Sequence, residues 1–357
     1  MIEKYIVGWI DSKKKQQYTL YSEAIFETYP DLGKASKFFF EEKNITIASV
    51  KNAICLTCGV LVNKEGLIIE STLIGLNPRM QGAQEEFDYF NKINDVVLDA
   101  GYYRYLDEVS YCLNAWDTNY QHFIVETLPK IHASQLKKNC PIVVLDMPFI
   151  REIVEMAYSS MEFIFLNHGE GIEADLVHIP MPVVQNFEPI VDLQVLAFEN
   201  LRSKILYPVS QEFGDIYLAR MNTQGLAGHM RRITNDSEVM DFFVKNDFKV
   251  DDFVEKTLIE KMVLTAQFKR HITPIGANLI NYLFAQNPID LYVFSHPYFT
   301  SHQYFINLFA AMKLPINYHI LPAGVEATGS DNWVGVGNSP YRIDMDILIT
   351  SLHLSTS

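Results

Sequence analysis

At 357 residues the chain exceeds the ~250–300 at which a single hydrophobic core stops growing, so two domains are expected. A formal net charge of −14 excludes a nucleic-acid binder that gains affinity by neutralising phosphates, and 48% hydrophobic with 20% charged residues is an ordinary globular composition. Four scattered cysteines exclude a disulfide framework: Cys55 and Cys58 have CxxC spacing but sit in the apolar run 53–60, with no second pair to complete a zinc site, and are read with Cys112 and Cys140 as buried thiols. The start is charged and no stretch approaches ~20 apolar residues, so neither a signal peptide nor a membrane span is expected. Lys13-Lys14-Lys15 reads as a solvated loop, and the compartment as cytoplasmic.

Residues 1–50 mix strand and loop signals around Phe38, Phe39 and Phe40. Val60-Leu61-Val62 and Leu67-Ile68-Ile69 flank Asn63-Lys64-Glu65-Gly66 and predict a hairpin. Residues 81–100 are polar. From Asp117 to Leu136 the spacing of Tyr120, Ile124, Leu128 and Ile131 predicts a helix, kinked at Pro129. Strands at 141–145, 163–166 and 176–179, with a helix over 150–159, give a β-α-β alternation that predicts a parallel sheet covered by helices.

A helix over 191–206 ends at Tyr207-Pro208, where a domain boundary is placed. The second half restarts with strand 216–219, helix 237–245, a strand near 248–250 and helix 258–268, whose Thr257 and Glu260 form a capping box. Strands at 271–273 and 291–294 and a helix over 302–312 follow. A polar, Gly-rich stretch 324–341 precedes a closing helix over 344–354. The expected architecture is α/β and GT-B-like: two Rossmann-like α/β domains facing a cleft, with an extra β-rich N-terminal segment. Residues 1–208 form the first domain with its β-rich start, 209–340 the second, and 341–357 a helix that packs back on the first.

Two places carry chemistry. Gly276-Ala277-Asn278 turns a strand into a helix containing Leu279, Asn281, Leu283 and Phe284, so free N–H groups and the positive helix end could seat a phosphate. Arg220 follows a strand, where open α/β sheets bind ligands, and Arg231 or Arg232 could join it as bidentate forks for a diphosphate. In the first half His122 and Glu126 are four apart on one helical face, which suits proton abstraction from a hydroxyl and equally an ordinary surface pair; no third ligand nearby makes it a metal site. Trp116, Tyr120 and Trp333 could stack on sugars, but core packing explains each.

Asn119-Tyr120-Gln121-His122-Phe123-Ile124-Val125-Glu126-Thr127-Leu128-Pro129-Lys130 resembles the Asn-aromatic-x-His-aromatic, acidic, Leu-Pro-basic segment of glycosyltransferase family 61. Arg220, Arg232-Ile233 with Asn235 and Glu238, and Gly276-Ala277 with Asn281 and Phe284 resemble its Arg…Arg-Arg-Ile-x-Asn-Glu and His-Gly-Ala-x-x-x-Asn-x-x-Phe segments. The likeness runs from about Ile45 to Leu352. Two departures stand out: Ile275 occupies the position of the usual His, and Asp236-Ser237 separates Asn235 from Glu238.

The resemblance implies an inverting, metal-independent glycosyltransferase. It would move a hexosyl or pentosyl group from a nucleotide sugar, UDP-linked by expectation, to a bacterial surface polysaccharide or its lipid-linked precursor. Gly276, Ala277 and Asn278 would surround the diphosphate, Arg220 and Arg232 would neutralise it, and Asn281 would fix the helix or the ribose region. Glu126 is preferred as the base over His122. No cofactor beyond the nucleotide-sugar co-substrate is expected, and no nucleic-acid partner; peripheral association with the inner face of the membrane is compatible with such an acceptor. A phosphotransferase using a CDP-linked donor, and an inactive glycan-binding scaffold suggested by Ile275, are the alternatives.

Overall fold

The structure is a computed structural model that describes residues 18–19, 25–29, 45–57, 59, 61–63, 68–69, 103–114, 117–137, 139–167, 170–180, 192–205, 214–220, 233–295, 302–325 and 340–352. The expectations for Lys13–Lys15, Phe38–Phe40, Cys58, residues 81–100, Trp116, Arg231, Arg232 and Trp333 lie outside these residues. The chain forms two compact units, 1–204 and 205–357, and both are mixed α/β.

The first unit carries a nine-stranded sheet. Its strands are β1 (Tyr18–Thr19), β2 (Ile25–Tyr29), β3 (Ile45–Leu56), β4 (Leu61–Asn63), β5 (Ile68–Ile69), β6 (Tyr103–Tyr111), β7 (Ile142–Leu145), β8 (Phe163–Leu166) and β9 (Gly171–Pro180). The expected hairpin is present, with β4 and β5 antiparallel through Val62 and Ile68. The sheet is not wholly parallel as the β-α-β alternation suggested. β6 runs parallel to β7 on one side and β9 on the other, and β7 parallel to β8, while the long β3 pairs antiparallel with β9 from Ile47↔Pro180 to Leu56↔Gly171. That pairing joins residues more than a hundred positions apart, which no local periodicity reports. β7 is Ile-Val-Val-Leu and buried along its whole length, as a central parallel strand covered on both faces requires.

Three segments run on from one another between β6 and β7: α1 (Tyr120–His122), a π-helical turn (Phe123–Thr127) and α2 (Leu128–Ser134). Asn119 caps the start, its side chain accepting from Gln121 N at 3.0 Å. Ile124, Leu128 and Ile131 are buried as their spacing predicts. The expected kink at Pro129 takes another form. Proline has no N–H for the carbonyl four residues back, and its ring crowds that carbonyl. The chain widens into a π turn before it, with Leu128 N bonding Phe123 O. The carbonyl that Pro129 cannot reach, that of Val125, accepts Gln194 Nε2 at 2.7 Å. Gln194 is fully buried on α4 (Asp192–Ile205), which follows α3 (Pro148–Ala157) in the chain.

The second unit carries a five-stranded, all-parallel sheet of β10 (Asp215–Leu218), β11 (Lys249–Asp251), β12 (Arg270–Pro274), β13 (Ile289–Ser295) and β14 (Ile316–Pro322) in the order β11-β10-β12-β13-β14. The order reverses between β10 and β12. Its helices are α5 (Asp236–Lys245), α6 (Leu258–Gln267), a 3-10 helix (Ala277–Phe284), α7 (His302–Ala311) and α8 (Met345–Leu352). The capping box forms on α6 as predicted, Glu260 N donating to Thr257 Oγ1 at 3.3 Å and Thr257 N to Glu260 Oε2 at 2.8 Å.

The closing helix, read from the sequence as packing back on the first domain, is buried in the core of the second unit. Leu348 and Leu352 are buried in a core with Tyr217, Val239, Phe243 and Phe294, where Tyr217 stacks on Phe243 at 4.5 Å between ring centroids. Asn235 fastens the segment leading into it: its Nδ2 donates to Ile343 O at 2.9 Å and its Oδ1 accepts from Ile343 N at 3.0 Å, so one side chain pairs with a backbone as a strand would. Arg342 closes onto Glu238 at 2.9 Å. Tyr341 and Arg342 (β16) also pair antiparallel with Gly324 and Val325 (β15). The thiols of Cys55, Cys112 and Cys140 are buried as expected, and burial pushes their pKa values up, those of Cys112 and Cys140 to about 12.

Candidate active site

The predicted residues fall into two groups, one in each unit. In the first unit His122 and Glu126 meet as their spacing predicts, His122 Nδ1 lying 2.8 Å from Glu126 Oε1. The pair is not a solvated surface contact: the Glu126 side chain is 7% exposed and that of His122 17%. The other carboxylate oxygen, Oε2, accepts from Asn114 Nδ2. A carboxylate only accepts, so His122 Nδ1 carries the hydrogen and the ring's lone pair is on Nε2. Both Glu126 oxygens are thereby committed, and the arrangement resembles a base held by an orienting acid.

Asn114 and Asp117 lie beside this pair and were not singled out from the sequence. Asp117, 1% exposed, accepts Asn114 N at 2.8 Å and Thr127 Oγ1 at 2.5 Å, tying the loop after β6 to the π turn that carries Glu126. Burial raises the Asp117 carboxyl to about 7; the Thr127 and Asn114 hydrogen bonds and the Lys130 charge pull the other way. Lys130 is itself buried on α2. A signal existed in β6 and its continuation, Glu108-Val109-Ser110-Tyr111-Cys112-Leu113-Asn114, which alternates polar and apolar with period two. The apolar set is buried, and the polar set meets the helical segment: Ser110 Oγ lies 2.7 Å and Cys112 Sγ 3.2 Å from Ser134 Oγ, while Asn114 reaches Glu126. Asn114 and Glu126 thus lie beyond the carboxyl end of a parallel strand, where α/β sheets gather their functional groups.

In the second unit the donor-site candidates gather at the reversal of strand order. Arg220 lies two residues past the end of β10, and Gly276 two past the end of its parallel neighbour β12. In doubly wound sheets ligands enter at this switch point. Arg220 is half-buried, and burial lowers its pKa while the Tyr341 phenol raises it. The helix opened by Gly276 is a 3-10 helix, not an α-helix, with Leu279 N bonded to Gly276 O at 3.1 Å. Every residue from Leu279 to Ala285 is buried, so the segment packs all round without an amphipathic stripe. Ala277 and Asn278 remain half-exposed at its N-terminus.

Asn281 is 1% exposed; its Nδ2 donates to Asn278 O at 3.0 Å, and its Oδ1 has no partner among the described residues. Ile275, at the position of the family's usual His, is fully buried, with its N–H on Phe294 O at 3.0 Å. His271 does not replace that His: it is locked in the core with Nε2 on Phe268 O at 3.0 Å and Nδ1 3.2 Å from the Tyr282 hydroxyl, and burial lowers its pKa to about 4. Asn235 and Glu238 hold the C-terminal segment through Ile343 and Arg342. Arg232 lies outside the described residues.

No helix among the described residues is long and apolar enough to cross a membrane. The model of the family described as Glycosyltransferase 61 matches residues 120–292, a span that holds the His122–Glu126 pair, Arg220 and the Gly276 turn. No curated protein matches the chain.

Proposed function

Because this chain belongs to glycosyltransferase family 61, we propose that it transfers a hexosyl or pentosyl group with inversion, from a UDP-linked donor to a bacterial surface polysaccharide or its lipid-linked precursor at the cytoplasmic face of the membrane. The observation that carries the reading is the chain of contacts Asn114–Glu126–His122, which orients the imidazole through Nδ1 and puts its lone pair on Nε2. This reverses the preference drawn from the sequence: His122 is the base and Glu126 holds it. Nε2 takes the proton of the acceptor hydroxyl as its oxygen attacks the anomeric carbon, and the bond from that carbon to the diphosphate oxygen breaks on the opposite side. A single in-line displacement inverts the anomeric centre.

The nucleoside diphosphate leaves with additional negative charge. Arg220, the backbone N–H groups of Ala277 and Asn278, and the motif residue Arg232 would receive it, and fixed donors of this kind are worth several kcal/mol of barrier. With protein cations at the leaving group, no metal step is needed in this scheme. Donor binding is checked by thermal shift with UDP, GDP, CMP, CDP and their sugar or alcohol conjugates in EDTA, since a ligand of the folded state raises the melting temperature. A UDP-specific shift supports the reading; a shift with CDP-alcohols alone transfers it to a phosphotransferase, and none at all to a glycan-binding scaffold.

The base assignment has its own test. His122→Ala is expected to lower kcat by about 10²–10⁴, the usual weight of general-base catalysis, with the donor KM little changed. Glu126→Gln should cost less, because an amide oxygen can still accept from Nδ1. Near-normal turnover in both variants overturns the assignment.

A further inference from the structure

Away from the His122–Glu126 pair, Glu108 on β6, His178 on β9 and Cys140 just before β7 bring one carboxylate, one imidazole and one thiol together, their ligand atoms all within 4.8 Å of one another. The strand pairing explains the meeting. β6 lies between β7 and β9, with Ser110 opposite both Ile142 and His178, so two residues back along β6 and β7 Glu108 comes level with Cys140. His178 and Cys140 are buried, and Glu108 is half-exposed.

We propose that Glu108, Cys140 and His178 bind a divalent zinc-class cation, with water completing the coordination. A thiolate, an imidazole and a carboxylate are the donor set of tetrahedral zinc, not of magnesium or calcium, which take oxygen. Without the cation, His178 Nε2 donates to the Glu108 carboxylate, Oε1 lying 2.5 Å away, and Nδ1 lies 2.8 Å from the buried Ser49 Oγ; on binding, the ring hydrogen shifts to Nδ1, where Ser49 Oγ can accept it, and the Nε2 lone pair turns to the cation. Zinc–ligand bonds of about 2.0–2.3 Å put neighbouring ligand atoms about 3.3–3.5 Å apart. Binding therefore needs the Glu108 carboxylate to back away from His178 by about 1 Å, and the sulfur, within 4.8 Å of both other ligand atoms, to close by no more than about 1.5 Å. Glu108, the exposed partner, is free to make that adjustment.

On binding, Cys140 Sγ gives its proton to solvent and the sulfur becomes the thiolate ligand. The cation would tie β6, β7 and β9 together from the side, well short of the loop that carries Asn114, and takes no part in glycosyl transfer as proposed above.

The test is a Co²⁺ titration of the full chain, with far-ultraviolet circular dichroism confirming the fold of each variant. One equivalent is expected to give a thiolate-to-cobalt charge-transfer band and the visible bands of a tetrahedral ion, both removed by added Zn²⁺. The bands should vanish in Cys140→Ser and persist in Cys58→Ser, which removes a thiol of the CxxC pair. Glu108→Gln, at an exposed position, should keep the fold and weaken Co²⁺ binding at least tenfold, so the proposal stays testable if Cys140→Ser misfolds. A wild-type protein without the charge-transfer band, a band that survives Cys140→Ser, or unchanged affinity in Glu108→Gln overturns it.

Discussion

Gly276 lies in extended backbone, φ 162° and ψ −167°, which any residue adopts, and a Cβ built there would meet nothing among the described residues within 4 Å. Among the described residues, neither backbone freedom nor close packing calls for a glycine at this position. In the donor site proposed above, it would let the diphosphate approach the N–H groups of Ala277 and Asn278. Gly276 is buried, but the added methyl meets no described atom within 4 Å and the extended backbone accepts it, so Gly276→Ala should leave stability within about 0.5 kcal/mol of the parent. It should also raise the donor KM about tenfold and shrink the UDP-induced thermal shift. Melting curves with and without UDP separate the two effects; an unchanged shift would remove the turn from the donor site. Ile275 is instructive beside it. Its side chain is fully buried, so the residue that departs from the family pattern serves the core of this sheet.

The segment from Tyr120 to Ser134 shows what a sequence reveals about an element and where it stops. Helical spacing and the break caused by Pro129 were legible because each acts within four residues, while the Asn119 cap came only with the structure. The π turn was not, since its form depends on Gln194 arriving from another helix to take the Val125 carbonyl. The same limit hid the role of Asn114 and Asp117, whose partners lie ten or more positions away. By contrast the capping box on α6 and the buried run in β7 were readable outright. The coupling is measurable. Gln194→Met should cost about 1–2 kcal/mol by leaving a buried carbonyl unpaired. In a Pro129→Ala background residue 129 brings its own N–H, so the same substitution should cost markedly less. A double-mutant cycle by urea unfolding reads this coupling energy, and additive costs would show that Gln194 does not replace the missing proline bond.

At the scale of the whole molecule, one buried group in each unit responds to acid, and the two respond with opposite sign. In the first, burial raises the Asp117 carboxyl from 3.8 to about 7. Between those values the native state holds a proton that the unfolded chain has lost, so this group's contribution to stability falls as pH rises from about 4 to about 7 and is level above. In the second unit burial lowers His271 from 6.5 to about 4. There the unfolded chain binds the extra proton, and the contribution is lost as pH falls from about 6.5 to about 4. At about 1.4 kcal/mol per pH unit, each window is worth a few kcal/mol. Urea unfolding of Asp117→Asn and His271→Gln at pH 4.5, 5.5 and 7 (pH values of about the two windows) should display both signs. The Asn variant gains on the parent as pH rises, because it never carries the buried charge. The Gln variant loses on the parent over the same range, because it has no proton to shed. Stability differences that stay flat with pH would mean that Asp117 and His271 keep ordinary pKa values inside the folded units, and that the contacts of Asp117 with Asn114 and Thr127 compensate its burial in full.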